Sequence, residues 1–182
     1  RLRPAWQRGL LAAVAGFLGI VAESVLILAY QAKEGVLYQE IGLLLAAFMA
    51  GLALGALILR DLIQGTGVRK KWMRGWGVAL LAGFGLLNFV AIGIVTGGAA
   101  VGLFLTAGLL AATGFLVGGL FAYAGLCGVR DQKKVIGPLY AADLIGGCLG
   151  SFLAGLLLLP LLGAKATSLG MAALALAALL AL

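Results

Sequence analysis

The sequence predicts an all-α integral membrane protein with six transmembrane helices, and three observations carry that prediction. Hydrophobic residues make up 64% of the 182-residue chain and charged residues only 10%, whereas soluble domains carry roughly 25% charged residues. The apolar residues fall into runs of the length that crosses hydrocarbon, about 20 residues each. The basic residues fall between those runs and on alternate connections, as the topology of a multi-pass protein requires. With short loops, the length leaves room for about six such helices in a single domain, 1–182.

The first run, 9–30, follows Arg1, Arg3 and Arg8 in the manner of a signal peptide. It outlasts a signal h-region, contains Glu23 and lacks an A-x-A cleavage site, so it reads as the first membrane helix. The second run covers 36–59, the third 76–95, the fourth 99–125 and the fifth 138–159. The sixth, 166–182, is only just long enough and ends inside an apolar stretch; with no initiator Met, the chain reads as part of a longer protein.

Orientation follows from the cations. Arg1, Arg3, Arg8, Arg60, Arg69, Lys70, Lys71, Arg74, Arg130, Lys133 and Lys134 all belong to one side, and only Lys33 and Lys165 to the other. The positive-inside rule then makes the N-terminus cytoplasmic, in a bacterial inner membrane. Trp6, Trp72 and Trp76 mark the same interface, as an aromatic belt does. The net charge of +7 therefore reports topology, and nucleic acid is not expected as a partner.

The stretch 137–163, GPLYAADLIGGCLGSFLAGLLLLPLLG, reads as an inside helix with its neighbours packed around it. Pro138 suits a first helical turn. Tyr140, Asp143, Gly147, Gly150 and Ala154 share one face at a 3.6-residue period. Small residues on such a face allow close approach of a neighbouring backbone, so Gly147 and Gly150, with Gly51 and Gly55 on the second helix, are the expected packing glycines.

Two echoes suggest an internal repeat. Residues 35–38 with Glu40 resemble 137–140 with Asp143, and Ala47 and Gly51 follow Glu40 at the spacing of Gly150 and Ala154 after Asp143. Gly16-Phe17-Leu18 likewise echoes Gly114-Phe115-Leu116. Helices one to three (9–95) and four to six (99–182) then form repeats, and an odd number of spans per repeat inverts the second copy. Coincidence among Gly, Ala and Leu is the competing explanation.

An ionisable group in a membrane segment is a functional candidate by default. Glu23 is the deepest. Glu23 and Glu40, the latter after Tyr38 and Gln39, border one polar pocket opening outward, or Glu40 is simply solvated. Asp143 with Tyr140 lies on the inner side, in a solute path or in a structural ion pair. Asn88 is the main polar residue of helix three. No histidine occurs, so no Ser/His/Asp set can be built, no metal-ligand cluster is expected, and no cofactor is implied. Cys127 and Cys148 have no CxxC spacing and read as small buried hydrophobes. Gly118-Gly119 and Gly146-Gly147 lie in apolar helices and read as packing glycines, not as a nucleotide loop. The chain is not expected to be an enzyme.

The segment 51–72, GLALGALILRDLIQGTGVRKKW, resembles the loop signature after the second helix of major facilitator transporters, with Arg60-Asp61 ahead of a delayed basic run. Together, 35–62 and 137–163 resemble the membrane portion of bacterial spermidine-synthase-like integral membrane proteins, which fuse major-facilitator-like helices to an aminopropyltransferase-type soluble domain. The resemblance implies half of a major facilitator fold, built as a 3+3 inverted repeat and without the catalytic domain. It implies a transporter-like function; the intramembrane acids then suggest that Glu23 and Glu40, with Asp143 as a further candidate, line a path for a small solute, cations among the candidates. Expected partners are the lipid bilayer and a second six-helix half, a homo-oligomer or other membrane subunits. The alternative is a structural subunit or anchor in a larger membrane complex, such as a redox assembly.

Overall fold

The computed structural model describes residues 4–35, 38–65, 70–96, 102–126 and 133–181. All the secondary structure among them is helical: α1 (Pro4–Glu34), α2 (Tyr38–Gly65), α3 (Lys70–Thr96), α4 (Leu103–Leu126) and a fifth stretch from Lys133 to Ala181. That last stretch comprises α5 (Lys133–Leu153), a π-helical segment (Ala154–Leu162) and α6 (Gly163–Ala181), with no loop between them. The expectation of six separate transmembrane helices is therefore corrected to five helical stretches, of which four are long and apolar enough to span: Trp6–Glu34, Tyr38–Ile63, Leu103–Leu126 and Ile136–Ala178. The fifth and sixth expected spans follow one another without a loop, because the π segment keeps the backbone helical through Pro160 and the chain turns only at Gly163. The remaining stretch, α3, carries the shorter apolar segment Gly75–Ala91 among the described residues and stays helical to Thr96.

Local chemistry sets the ends. Gly35 takes φ 91° and donates its N–H to the Gln31 carbonyl at 3.1 Å, the left-handed closure that glycine gives a helix C-terminus. Gly163 sits at φ 75° and ψ 169°, a region only glycine enters cheaply. The helix axis breaks there, and α6 beyond it packs on α3 and α1. Pro138 is not in the first turn of its helix: α5 begins at Lys133, so the proline lies inside it and deletes one intrahelical bond.

α1 and α4 are the buried helices; α2 packs on α4 and α5 packs on α1. The expectation that residues 137–163 form the inside helix is thus corrected. One face of α5 meets α1 closely, while Leu144, Ile145, Leu149 and Phe152 on the others are exposed. One hydrophobic cluster joins Leu18, Val21, Leu81, Phe84, Leu120 and Met171 across α1, α3, α4 and α6. A second, toward the end of α1, joins Leu26, Tyr30, Leu44, Phe48 and Leu110.

Backbone-to-backbone contacts at glycine hold the two outer pairs. A β-carbon on Gly51 would collide with the carbonyl of Ala111, and one on Gly55 with that of Phe115. Gly114 and Gly118 on α4 lie equally tight against the Phe48 and Leu52 carbonyls. In the other pair Gly146 lies against the Ala13 carbonyl, Gly150 against that of Phe17 and Gly16 against that of Asp143. Close approaches to a neighbouring backbone fall at Gly51, Gly55 and Gly150. Gly147 makes no such approach: a β-carbon there meets the Ile20 side chain at 3.4 Å and the Gly16 carbonyl at 3.9 Å, both ordinary contacts. Its neighbour Gly146 makes the close approach instead, because one residue turns a helix by about 100°.

These contacts advance together along both chains, so α2 runs parallel to α4 and α5 runs parallel to α1. Gly19 touches Val117, while Leu26, later on α1, clusters with Leu109 and Leu110, earlier on α4. α1 and α4 are therefore antiparallel.

Candidate functional site

In hydrocarbon a polar side chain must find a partner within the protein. Most here find one on their own helix. Ser24 Oγ donates to the Ile20 carbonyl at 2.8 Å, Thr113 Oγ1 to that of Leu109 at 2.8 Å and Thr167 Oγ1 to that of Gly163 at 2.8 Å. Asn88, 6% exposed, does the same: its Nδ2 donates to the Phe84 carbonyl at 3.0 Å. It lines neither of the acid-bearing cavities described below, so its polar group serves its own helix.

The acids are different, and they occupy three levels along α1. Asp143 is half-buried; its Oδ1 would lie 2.8 Å from a β-carbon on Gly16. Glu23 belongs to α1 itself, two turns further on. Glu40, half-buried at the start of α2, accepts a hydrogen bond from Tyr30 Oη at 2.6 Å. Gly16, Glu23 and Tyr30 are seven residues apart, so the levels are separated by about 10 Å.

Asp143 and Tyr140 open onto a cleft of about 730 Å³ between α1, α2, α4 and α5, walled by Gly19, Phe48, Leu52 and Phe121. Cys148 lies on the same cleft and is exposed, which corrects its reading as a buried hydrophobe; Cys127 lies outside the described residues. Glu23 lines a separate cavity of about 650 Å³ between α1, α2, α5 and the π segment, together with Ser24, Gln31 and Ser151. Ile20 belongs to both. Glu23 is 6% exposed, and its Oε1 is buried with no hydrogen-bond partner.

The structure therefore places the three acids along one helix but gathers no two of them into one site. Tyr38 stands apart, 85% exposed. The tyrosine that matters to Glu40 is Tyr30, which the sequence reading passed over because it lies across the α1–α2 connection. Ser24, Gln31 and Ser151 were also missed, although Ser24 adjoins Glu23. Arg60 and Asp61, the facilitator-like pair, are both exposed. Arg1, Arg3, Arg69 and Arg130 lie outside the described residues. Among the described residues no group of three His, Cys, Asp or Glu side chains could hold a metal ion.

The Tyr30–Glu40 bond is short and charge-assisted, and it ties the end of α1 to the start of α2. Tyr30→Phe should lower the thermal unfolding temperature, by less than replacement of a packing glycine does. An unchanged unfolding temperature would leave the bond without a structural role.

No protein family, curated protein or solved structure matches the chain.

Proposed function

We propose that the chain is a transporter-like integral membrane domain of the spermidine-synthase-like type, non-catalytic in itself, that binds or moves a small solute. The observation that carries this reading is the ladder of acids along α1: Asp143 at Gly16, Glu23, and Glu40 at Tyr30. A carboxylate near the middle of a bilayer costs roughly 3 kcal/mol. Three of them at steps of about 10 Å, two lining cavities, make sense as stations for a solute and are poorly suited to an anchor.

An inverted repeat is part of the same proposal. A shift of 98 positions carries Ala13, Gly16 and Phe17 onto Ala111, Gly114 and Phe115. A shift of 95 carries Phe48, Gly51 and Gly55 onto Asp143, Gly146 and Gly150. Under these shifts the close contacts of α2 with α4 become those of α5 with α1, and the Gly19–Val117 contact becomes itself. Antiparallel α1 and α4 give the two copies opposite directions, which is the plan of many transporters. The α1–α4 register agrees with the sequence echo. The α2–α5 register does not: Glu40 is not the counterpart of Asp143, and the alignment moves by about two turns.

Cys148 supplies the test. With Cys127 replaced by serine, Cys148 should react with an impermeant thiol reagent in inverted vesicles and not in intact cells, because the α5 residues of its cleft begin at Tyr140, two turns from Lys133 at the basic end of that helix. Single cysteines introduced at Gly67 and Gln132 in a cysteine-free background should follow the same pattern, and one at Gly35 the opposite. A Cys148 silent from both sides would mean a lipid-filled cleft and would favour a structural subunit of a larger complex. Reversed labelling at all positions would overturn the orientation.

A further inference from the structure

We propose that the Glu23 cavity is a binding site for a small organic monocation, a primary alkylammonium whose charged head meets the Glu23 carboxylate. The inference deepens the solute-binding reading by naming a ligand class for one of its stations.

Charge comes first. Glu23 is 6% exposed and its Oε1 has no partner, and no lysine or arginine lines the cavity around it. A buried carboxylate requires a counter-charge, and the cavity wall supplies none. The other polar side chains of the wall are neutral: Gln31 and Ser151 each offer donors and acceptors but no counter-charge. Ser24 has already given its proton to the Ile20 carbonyl, so its oxygen faces the cavity only as an acceptor. A carboxylate without a counter-charge, with the side-chain oxygens of Ser24, Gln31 and Ser151 on the same wall, forms an acceptor set for an ammonium, which carries three donors.

Size and wall chemistry separate an organic cation from a bare ion. The cavity of about 650 Å³ falls in the range of small-molecule sites, roughly 300–1,000 Å³. Ile27, Leu28, Leu45 and Leu159 supply an apolar wall, useless to a hydrated ion and suited to a hydrocarbon body. One carboxylate also sets the charge at one: among the described residues no cluster of acids exists to take a divalent ion.

The test is calorimetric titration of the purified full chain in lipid nanodiscs with n-butylammonium, n-butanol and sodium ion. Butylammonium should bind saturably, and its uncharged isostere and sodium should not. Glu23→Gln keeps the shape and removes the charge, and should weaken butylammonium at least roughly 30-fold, the loss expected when one member of a buried charge pair is neutralised. Ser151→Leu fills the cavity without touching the carboxylate and should also abolish binding, which covers the case in which Glu23→Gln fails to fold. Tyr38→Phe, at an exposed residue that lines neither cavity, should bind as the unaltered chain does. Undiminished binding in Glu23→Gln, sodium binding as tight as butylammonium, or no saturable heat at all would each overturn the site. None of these outcomes changes the labelling of Cys148 in the other cleft, on which the general reading is judged separately.

Discussion

Replacing Gly51 with leucine should pull α2 away from α4 and destabilise the domain by about 1–3 kcal/mol, the usual cost of overpacking a tight core. Gly55→Leu and Gly146→Leu should do the same. In each case the atom in the way is a backbone carbonyl, of Ala111, Phe115 or Ala13, and a backbone inside a helix cannot rotate aside as a side chain can. Gly150→Leu should be milder, because a β-carbon there would sit 2.9 Å from the Phe17 carbonyl, the loosest of these approaches. The internal controls are Gly42 and Gly85, helical glycines with nothing within 4 Å of a β-carbon. Leucine at either should be neutral or mildly stabilising, since glycine is a poor helix former. Thermal unfolding in one detergent, followed by size-exclusion chromatography, reads the whole series. Equal losses at Gly42 and Gly51 would show that helix propensity, and not close approach, governs these positions.

That series also shows where the sequence was legible. Gly51 and Gly55 stand four apart in an apolar run, and the spacing alone announces a face that another backbone approaches. On α5 the same reasoning put Gly147 and Gly150 on the contact face, because Asp143 was taken to share it, and left Gly146 a packing glycine with no face assigned. Asp143 in fact lies across the edge of that face, with its backbone carbonyl against Gly16 and its carboxyl on the cleft. The acids themselves were legible, since an ionisable residue in a run of Leu and Ala is conspicuous. Their partners were not. Tyr30 reaches Glu40 only because Gly35 ends α1, and Ser151 reaches the Glu23 cavity from a helix more than a hundred positions away in the chain. The continuity of α5 into α6 was illegible for a different reason: Pro160 reads as a helix breaker, and nothing in the sequence distinguishes a break from a π segment that absorbs it.

Glu23→Met should stabilise the domain while removing whatever function the carboxylate serves. The side chain is 6% exposed and its Oε1 has no partner, so the folded protein bears the cost of an unsatisfied buried oxygen, about 1–3 kcal/mol. Methionine has nearly the same length and volume and adapts to irregular space, so the gain should not be offset by a void. A structural carboxylate behaves in the opposite way. Removing one partner of a buried ion pair costs about 3–5 kcal/mol because the other charge is left alone. The sign of the change therefore separates the two roles without knowledge of the solute. Asp143→Leu should change stability less than Glu23→Met, since Asp143 is only half-buried. A higher unfolding temperature for Glu23→Met, together with lost alkylammonium binding, is the exchange of stability for function that proteins make at working sites. A lower one would mean that Glu23 holds the fold together, and the acid ladder on α1 would lose its middle station.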